Sequence, residues 1–367
     1  MKKKGLLIIF FLLAVFITAG FLCYKNYIAD KYDVRTATVQ DFCLDTIVSV
    51  TVYGRGDENF EDVAARCISL CSEYELVFSP TDEDSELYKI NETSKNYNAY
   101  NALTDDLTES RTDISSQDRS EPITISVSKD IYECMSLCRR YYYLSDGRYD
   151  ITIRPVSELW DFHDNTEGII PDSEAISEAL ALVRGADAYE LSENADGYIL
   201  TIYEPGIYFD LGSVAKGYIA DRLKDYLTEN SVYSAVIDLG GNIVTIGSKP
   251  VQGSGTYTAF NIGINMPFSG SGSYACIKEI SDSCVVTSGV DQRYFISGDR
   301  LYHHILDAQT GYPAVSELYS VSVIGTNAAE ADVLSTVGFL LGEERARALF
   351  EQAGVEGVFV TSEMEVR

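Results

Sequence analysis

The sequence predicts an α+β fold with mixed or mostly antiparallel sheets and flanking helices. In the second half of the chain, many strand-like runs follow one another without a helix between them. A parallel sheet needs a helical crossover between successive strands, so purely parallel winding is excluded. The first half combines strand-like alternation with strongly periodic helical segments, and no repeat of fixed period occurs.

The composition is that of a globular, strongly acidic protein. The chain has 367 residues, of which 46% are hydrophobic, and 28 Lys and Arg stand against 56 Asp and Glu, a formal charge of −28. The apolar content excludes a disordered chain. The charge argues against nucleic acid as a partner and against docking of the folded part on anionic lipid. An anionic ligand would need a bound cation to supply positive charge.

The N-terminus predicts a membrane-spanning or signal-anchor helix. Lys2, Lys3 and Lys4 precede an uncharged, largely apolar run over residues 5–24, and about 20 such residues cross a bilayer. The lysines predict that the rest of the chain lies outside the cytoplasmic membrane. A cleaved signal peptide and lipidation at Cys23 are the alternatives. We expect an anchor over residues 1–24, a polar tether over 25–36 and one folded domain over 37–367.

The first half of that domain alternates between periodic and aperiodic segments. Residues 47–53 read as a strand, and residues 57–78 carry apolar side chains at helical spacing. Residues 92–121 are rich in Ser, Thr, Asn and Asp without periodicity, which predicts a disordered insertion. A helix is expected over 127–144, ended by Gly147.

The second half is dominated by strands. Three helices interrupt them, at residues 172–183, 215–229 and 329–341. The strand predictions cover residues 149–153, 197–203, 235–237, 243–246, 257–264, 275–280 and 321–324.

The eight cysteines do not predict a disulfide framework. Cys67 and Cys71, like Cys134 and Cys138, are four apart in helical segments, where they suit a buried face. Whether Cys276 and Cys284 face each other across a hairpin is left open.

Residues 210–218, DLGSVAKGY, join a strand to a helix. Ser213 is a natural N-cap, and free backbone N–H groups at a helix start bind anions. Lys216 adds a cation and Asp210 an acceptor, so the segment predicts a site for a phosphate-bearing ligand. An ordinary capped helix is the competing interpretation.

Two further segments combine turns with polar groups. Residues 238–242, DLGGN, predict a tight turn between two apolar strands. His303 and His304 precede another turn, and since neighbouring side chains on a strand face opposite ways, at most one points into a given pocket. Histidine is a natural base near pH 7, although a lone histidine is more often structural.

The helix predicted over 329–341 carries hard oxygen ligands. Asp332 and Thr336 are four residues apart and share one face. Such a pair suits Mg²⁺, which binds through one or two carboxylates together with waters and substrate phosphates. With the acidic composition, the anion-binding helix start and a histidine, this predicts metal-assisted phosphoryl chemistry.

Taken in order, these segments resemble the FAD:protein FMN transferase family, also called ApbE. The resemblance extends from about residue 37 to the C-terminus, apart from residues 92–121. The matching segments are 44–46 (LDT), 84–88 (DSELY), 147–152 (GRYDIT), 159–160 (LW), 210–217, 238–242, 304–311 and 332–336.

The resemblance implies a Mg²⁺-dependent enzyme with a T-fold-like α+β body. Such enzymes attach the FMN half of FAD to a threonine hydroxyl of another protein through a phosphoester bond and release AMP. His304 matches the base, and Ser213, Asp332 and Thr336 match the metal site. The positions that match FAD contacts are Leu44, Phe78, Arg148, Tyr149, Asp150, Asp210, Lys216 and Ile305.

The resemblance also implies a partner and a location. Targets in this family are typically membrane redox subunits with a D-x-x-[ST]-G-[AS]-T-like acceptor site, and the catalytic domain is expected outside the cytoplasmic membrane. Two other functions fit the same residues. Water in place of the threonine would make the chain an FAD pyrophosphatase giving FMN and AMP, and loss of catalysis would leave a membrane-tethered flavin-binding protein.

Overall fold

The computed structural model describes residues 2–55, 60–105, 122–204, 206–270 and 272–367. Its helices and strands alternate along the chain without a repeating unit. The α-helices are α1 (Lys2–Lys31), α2 (Glu61–Phe78), α3 (Glu86–Asp105), α4 (Lys129–Leu144), α5 (Arg154–Trp160), α6 (Ser173–Leu180), α7 (Ala215–Glu229), α8 (Ala328–Leu341) and α9 (Glu343–Ala353).

Most strands are short and join their neighbours through tight turns. The strands are β1 (Val34–Cys43), β2 (Thr46–Arg55), β3 (Ile123–Val127), β4 (Tyr189–Asn194), β5 (Gly197–Ile202), β6 (Ser234–Leu239), β7 (Asn242–Gly247), β8 (Lys249–Pro250), β9 (Tyr257–Thr258), β10 (Phe260–Asn265), β11 (Tyr274–Ile280), β12 (Cys284–Gly289), β13 (Tyr294–Ser297), β14 (Arg300–His303), β15 (Leu306–Asp307), β16 (Tyr312–Pro313), β17 (Leu318–Gly325) and β18 (Glu356–Thr361).

A seven-stranded antiparallel sheet forms the centre of the domain, in the order β1-β2-β6-β7-β12-β17-β18. Two-residue turns join β1 to β2 and β6 to β7. Gly240 and Gly241 form the second turn with φ of 67° and 95°, the left-handed conformations that such a hairpin turn requires. The predicted α+β class with antiparallel sheets and the predicted turn at 238–242 are confirmed.

The two faces of this sheet are covered differently. Helices α2, α7 and α8 pack on one face, where Val48, Val50 and Val52 of β2 are buried. The hairpin β10–β11 covers the other face, with Phe260, Ile262 and others packed on side chains of the sheet. Alternate side chains of β2 therefore face the helices on one side of the sheet and the β10–β11 hairpin on the other.

A smaller antiparallel sheet, β3-β5-β4, packs against α4. Beyond it, α5 and α6 enclose an aromatic cluster around the fully buried Trp160. Its indole Nε1 donates to the carbonyl of Gly311 at 2.8 Å, which ties this cluster to the turn that follows His304.

At the N-terminus the structure confirms a long apolar helix but not a tether. An 18-residue window, Phe11–Ile28, is apolar enough and long enough to cross a membrane, as a signal sequence also would be. The segment predicted as a tether, 25–36, is instead the end of α1 and the start of β1. The side chain of Gln252 fixes this junction, accepting from Val34 N and donating to Asp33.

The disorder predicted for 92–121 is wrong for residues 92–105, which belong to α3; residues 106–121 lie outside the described residues. Among the side chains of α3 that the structure describes, the apolar Leu87 and Ile90 are buried together with the polar Asn91 and Ser94. The Asn91 amide exchanges two hydrogen bonds with the backbone of Phe209, so polar pairing holds the helix in place.

The strand predicted at 149–153 is also wrong. Residues 151–153 form a 3-10 helix that continues into α5. The Asp150 carboxylate caps this turn by accepting from the Thr152 amide and hydroxyl, and this local bond outweighs the β-branched composition.

The cysteine pairs predicted on buried faces are confirmed: Cys67, Cys71, Cys134 and Cys138 are all buried. Cys276 and Cys284 lie on different strand pairs, with Ile264 opposite Cys276 and Gly325 opposite Cys284.

Candidate active site

The candidate site is built around the contact between the first turn of α7 and helix α8. The Gly217 N–H donates to Asp332 Oδ2 at 2.9 Å. A Cβ atom at position 217 would lie 2.2 Å from the carbonyl oxygen of Ala328 and 2.8 Å from Asp332 Cβ. Only glycine therefore lets the two helices approach closely enough for this bond.

Asp332 is buried, and its surroundings taken together raise the pKa of its carboxyl. Burial raises the pKa of its carboxyl, whereas the Lys216 charge, the Gly217 N–H and the Asn242 amide lower it. Asn242 Nδ2 has no hydrogen-bond partner of normal geometry among the described residues. Lys216 likewise has no ion-pair partner in the part of the chain that the structure describes. The carboxylate is thus poised to bind a cation.

The turn before α7 is held by side chains rather than by the predicted serine cap. Asp210 Oδ1 accepts from Gly212 N at 2.9 Å, and Oδ2 accepts from Ser157 at 3.0 Å. The N-cap residue is Val214, without a side-chain bond. Prediction of Ser213 as the N-cap is therefore wrong.

The Ser213 hydroxyl pairs instead with the Tyr149 hydroxyl at 2.8 Å. Tyr149 is buried, and its hydroxyl also donates to Cys138 Sγ at 3.1 Å. Burial raises its pKa strongly, and the Asp332 charge adds to the rise. Ser213 stands four residues before Gly217, whose N–H bonds Asp332.

Thr336 lies one helical turn beyond Asp332. Its hydroxyl is 3.0 Å from Ser288 Oγ and 3.4 Å from the backbone oxygen of Asp332. Ser288 Oγ also pairs with Ser335 Oγ at 2.7 Å. The hydroxyl network of β12 and α8 thus fixes the orientation of Thr336.

The adjacent histidines have different surroundings. His303 is buried at the end of β14, with Nε2 3.1 Å from the Ala314 oxygen and its ring against Phe339. Half-buried His304 has Nδ1 3.3 Å from the Arg293 oxygen. Burial, together with the charges of His303, Arg293 and Lys216, lowers the pKa of His304 to about 3. The charge of Lys216 thus acts on both His304 and Asp332.

The predicted contacts at 148–150 have partners within the protein. Arg148 pairs with the buried Asp307, with Nε and a terminal nitrogen 2.9 and 2.7 Å from Oδ2. Asp150 caps the 3-10 helix, and burial raises its pKa. The contact of these three residues with FAD stays a prediction.

Leu44 is the predicted contact that the backbone marks most clearly. Leu44 and Asp45 form the β1–β2 turn with φ of 55° and 56°, which is uncommon outside glycine and asparagine. The Leu44 N–H donates to Glu75 Oε1 at 2.6 Å, and Asp45 lies 3.6 Å from Arg293. Since the Arg293 carbonyl faces His304, the hairpin tip adjoins the histidine.

The other two predicted contacts are buried. Phe78, at the end of α2, packs edge-on against Tyr218 with ring centroids 5.8 Å apart. Ile305 is buried beside His304, and its carbonyl accepts from Ala314 N. The structure places both next to site elements, Phe78 behind α7 and Ile305 after the histidine.

The donor set fits a hard divalent cation. A buried carboxylate and two hydroxyls, from Asp332, Thr336 and Ser213, are oxygen ligands of the type that Mg²⁺ prefers. A cluster of three or more His, Cys, Asp or Glu side chains around one point is absent from the described residues. Such a cation would therefore complete its coordination with waters or ligand phosphates.

Sequence reasoning missed several residues that position this site. Gly217 carries the closest helix contact, Ser288 orients Thr336, and Arg293 joins the hairpin tip to His304. Gly217 and Asn242 lay inside recognised motifs, but only the tertiary structure shows what they contact. Ser288 and Arg293 gave no signal.

Comparison with known proteins identifies consistent relatives. The ApbE family model matches residues 44–359. A protein from Klebsiella pneumoniae named FAD:protein FMN transferase is 34% identical over 245 residues, covering 66% of this chain and 72% of that protein. One of the same name from Treponema pallidum is 27% identical over 353 residues, 94% of this chain and 90% of that protein.

Solved structures agree on the fold. The apbe protein from Thermotoga maritima matches with a TM-score of 0.72 at 27% identity, covering 91% of this chain and 96% of that one. The flavin transferase ApbE from Vibrio cholerae matches with a TM-score of 0.71 over the same shares, and its 22% identity supports the fold alone.

Proposed function

Since the chain belongs to the ApbE family, we propose that it is a transferase acting as an FAD:protein FMN transferase. It takes FAD and a protein acceptor as substrates. The FMN half is transferred to a threonine hydroxyl of the acceptor through a phosphoester bond, and AMP is released.

The observation that carries the proposal is the Gly217–Asp332 contact. It holds the start of α7 and the cation Lys216 beside a buried carboxylate. A helix start with a lysine attracts a diphosphate, whereas a carboxylate repels one unless a cation lies between them. The pairing therefore suits a diphosphate that arrives with a metal ion.

We propose Mg²⁺ as that ion, held by Asp332, Thr336 and Ser213. When bound, it offsets the negative charge that develops on the phosphoryl oxygens. The protein contributes a fixed geometry, because Ser288 and Tyr149 hold the two hydroxyls. With a formal charge of −28, the chain as a whole repels an anionic ligand, and a bound cation would offset that repulsion.

His304 serves as the base in this proposal. Its lowered pKa keeps the ring neutral at pH 7, and Nδ1–H donates to the Arg293 oxygen in the tautomer that leaves Nε2 free. Nε2 then accepts the proton of the incoming hydroxyl. Diphosphate binding beside Lys216 would oppose one of the charges that lower the pKa of His304, the smallest of the causes.

The remaining predicted contacts orient FAD. Asp210 and Lys216 lie at the α7 start, and Leu44 lies at the hairpin tip next to the histidine. Arg148, Tyr149 and Asp150 are held in place by hydrogen bonds with Asp307, Ser213 and Thr152, respectively. Phe78 and Ile305 complete the apolar part of the predicted lining.

For location, we propose that α1 anchors the chain in the cell membrane with the catalytic domain outside the cytoplasm. Lys2, Lys3 and Lys4 support this orientation, and lipidation at Cys23 would anchor the body on the same side. A membrane redox subunit with an exposed acceptor threonine is the matching partner, because both proteins would then face the same compartment.

The test is co-expression with a redox subunit that carries a D-x-x-[ST]-G-[AS]-T-like site. Mass spectrometry should find the FMN mass on the acceptor threonine with Mg²⁺, and none when Asp332→Ala replaces the wild-type chain. An acceptor with alanine at that threonine is the matched control. Release of free FMN and AMP with an unmodified acceptor would instead identify a pyrophosphatase, and binding without turnover a carrier.

A further inference from the structure

Helix α7 makes a second contact with α8, one turn beyond Gly217. The Asp221 carboxylate accepts from the first two amides of α8, with Oδ1 3.0 Å from Ala328 N and Oδ2 2.9 Å from Ala329 N. Gly217 and Asp221 are four residues apart, so they lie on the same face of α7. The bond from Gly217 N–H to Asp332 and the bonds to Asp221 therefore join the same two helices side by side.

The first amides of α8 find their partners in two places. The N–H groups of the first turn of a helix have no acceptor within that helix. Asn327 precedes α8 and accepts from Glu330 N through its side chain at 2.7 Å and from Ala331 N through its carbonyl. Asp221 accepts from the two amides that remain. The bonds to Asn327 are local to the start of α8, whereas the bonds to Asp221 also tie the position of α8 to that of α7.

The position of α8 relative to α7 matters because each helix carries part of the candidate site. Lys216 lies in the first turn of α7, and Asp332 and Thr336 lie on α8. Asp332 follows Ala329 by three residues, less than one helical turn from the bonds to Asp221. A movement of the start of α8 away from α7 would therefore carry Asp332 away from Gly217.

We propose that Asp221 is a positioning residue that holds α8 in the arrangement in which Asp332 and Thr336 bind the metal ion. The inference rests on the proposed function, because it concerns the proposed Mg²⁺ site. Asp221 acts through the backbone of α8 and needs no contact with the metal or with FAD. A carboxylate at the N-terminus of a helix also interacts favourably with the helix dipole, which strengthens this hold.

Loss of the two bonds should weaken Mg²⁺ binding without removing the chemistry. In Asp221→Ala, α8 occupies the binding arrangement for only part of the time, and the apparent affinity of a ligand falls by that fraction. Residues that orient metal ligands change metal affinity by roughly 10–100-fold. We therefore expect the Mg²⁺ concentration that half-saturates FAD binding to rise about 10-fold or more. Saturating Mg²⁺ should restore kcat, because the bound metal then selects the correct arrangement.

The experiment titrates Mg²⁺ against FAD binding in the detergent-solubilised full-length chain, with flavin fluorescence as the readout. The wild-type chain is compared with Asp221→Ala and with Asp221→Asn, which keeps one acceptor oxygen and should show an intermediate effect. The rate of flavin transfer as a function of Mg²⁺ concentration gives a second readout. In the Asp221 variants the KM for Mg²⁺ should rise while kcat is retained.

Asn327→Ala is the matched control, since it removes a cap of the same helix without touching α7. Urea unfolding should find the control and the Asp221 variants all less stable than the wild-type chain. Only the Asp221 variants should need more Mg²⁺. Asp221→Asn provides the comparison with the control if Asp221→Ala fails to fold.

Two results would overturn the role of Asp221 alone. The first is a Mg²⁺ dependence in the Asp221 variants equal to that of Asn327→Ala, which would make Asp221 an ordinary helix cap. The second is a loss of kcat that saturating Mg²⁺ does not restore. If FAD binding to the wild-type chain did not depend on Mg²⁺, the proposed metal site would be wrong, and this inference with it.

Discussion

Helices α3 and α8 each turn a polar side chain into the protein interior, and they satisfy it differently. Asn91 on α3 donates to the Phe209 carbonyl at 3.0 Å and accepts from the Phe209 N–H at 2.7 Å. Asp332 on α8 accepts from the Gly217 N–H. Beside it, the ammonium of Lys216 has no ion-pair partner within the described ranges.

This difference is the one expected between a side chain that stabilises the fold and the proposed metal ligand. A buried amide bonded on both sides to one backbone segment completes the hydrogen bonding of that segment. A buried carboxylate whose pKa is raised by burial is costly unless a positive charge joins it. The two positions should therefore respond oppositely to mutation: one should change activity and the other stability.

The largest effect is expected at Asp332. Asp332→Ala should lower transfer on the order of 10³-fold or more and also weaken FAD binding, because the cation is needed in the ground state and in the transition state. Flavin fluorescence titration with Mg²⁺ or EDTA measures the binding. EDTA should weaken binding to the wild-type chain and change little in the variant. Equal affinity of the wild type in both buffers would contradict the metal site.

The second effect separates the two histidines. His304→Ala should lower transfer by about 10²–10⁴-fold, as loss of a general base does, while FAD affinity changes little. His303→Ala should act on stability instead, because His303 packs against Phe339 in the core. Flavinylation rates at saturating FAD and Mg²⁺ provide the comparison. If the His303 variant were inactive and the His304 variant active, His303 would be the base and His304 the structural residue.

Side-chain pattern explains how much of the fold could be predicted. Helices α2, α7 and α8 and strand β2 bury apolar side chains at regular spacing, and all four were predicted. Helix α3 buries the polar Asn91 and Ser94 beyond the apolar Leu87 and Ile90, so the apolar periodicity that predicts a helix stops at residue 90. The run Ile151-Thr152-Ile153 has strand composition, but the Asp150 cap imposes a turn.

The candidate site could be predicted from the sequence only where its functional side chains lie within one short segment. Asp332, Thr336 and Lys216 followed from motif spacing and resemblance. Gly217 is essential to the geometry because a Cβ would collide with Ala328, and that contact joins residues far apart in the chain. The pairing of Arg293 with Asp45 depends equally on tertiary structure.

The third prediction tests the structural half of the comparison. Asn91→Ala should lower the free energy of unfolding by about 2 kcal/mol, because the Phe209 N–H and carbonyl are left unpaired in the interior. Flavin transfer per folded molecule should not change. Asn96→Ala, on the exposed face of the same helix, is the matched control and should cost less than about 0.5 kcal/mol. Urea unfolding measures the stability of both variants. If Asn91→Ala were as stable as Asn96→Ala, the proposed structural role of Asn91 would be wrong.

A fourth, smaller effect concerns pH. Burial lowers the pKa of His303 from 6.5 to about 4, so the unfolded chain binds the proton first as the pH falls. The stability from the neutral buried ring is present above pH 6.5 and is lost as the pH falls toward 4. By about pH 5.5 the wild type should have lost about 1 kcal/mol more than His303→Gln. Parallel pH profiles of the two proteins in urea unfolding would contradict this.

The smallest effect is expected at Leu44, where the site keeps an unfavourable backbone conformation. Leucine at φ 55° is less favourable than asparagine, which tolerates left-handed backbone. Leu44→Asn should therefore leave stability unchanged or raise it by up to about 1 kcal/mol, since the relief offsets the lost apolar contact. If Leu44 contacts the flavin, the same change should weaken FAD binding several-fold. Urea unfolding and flavin titration on one preparation measure both. Unchanged FAD affinity would mean that Leu44 has only a structural role in the hairpin. Its hydrogen bond to Glu75 would then be comparable to the bonds between Asn91 and Phe209.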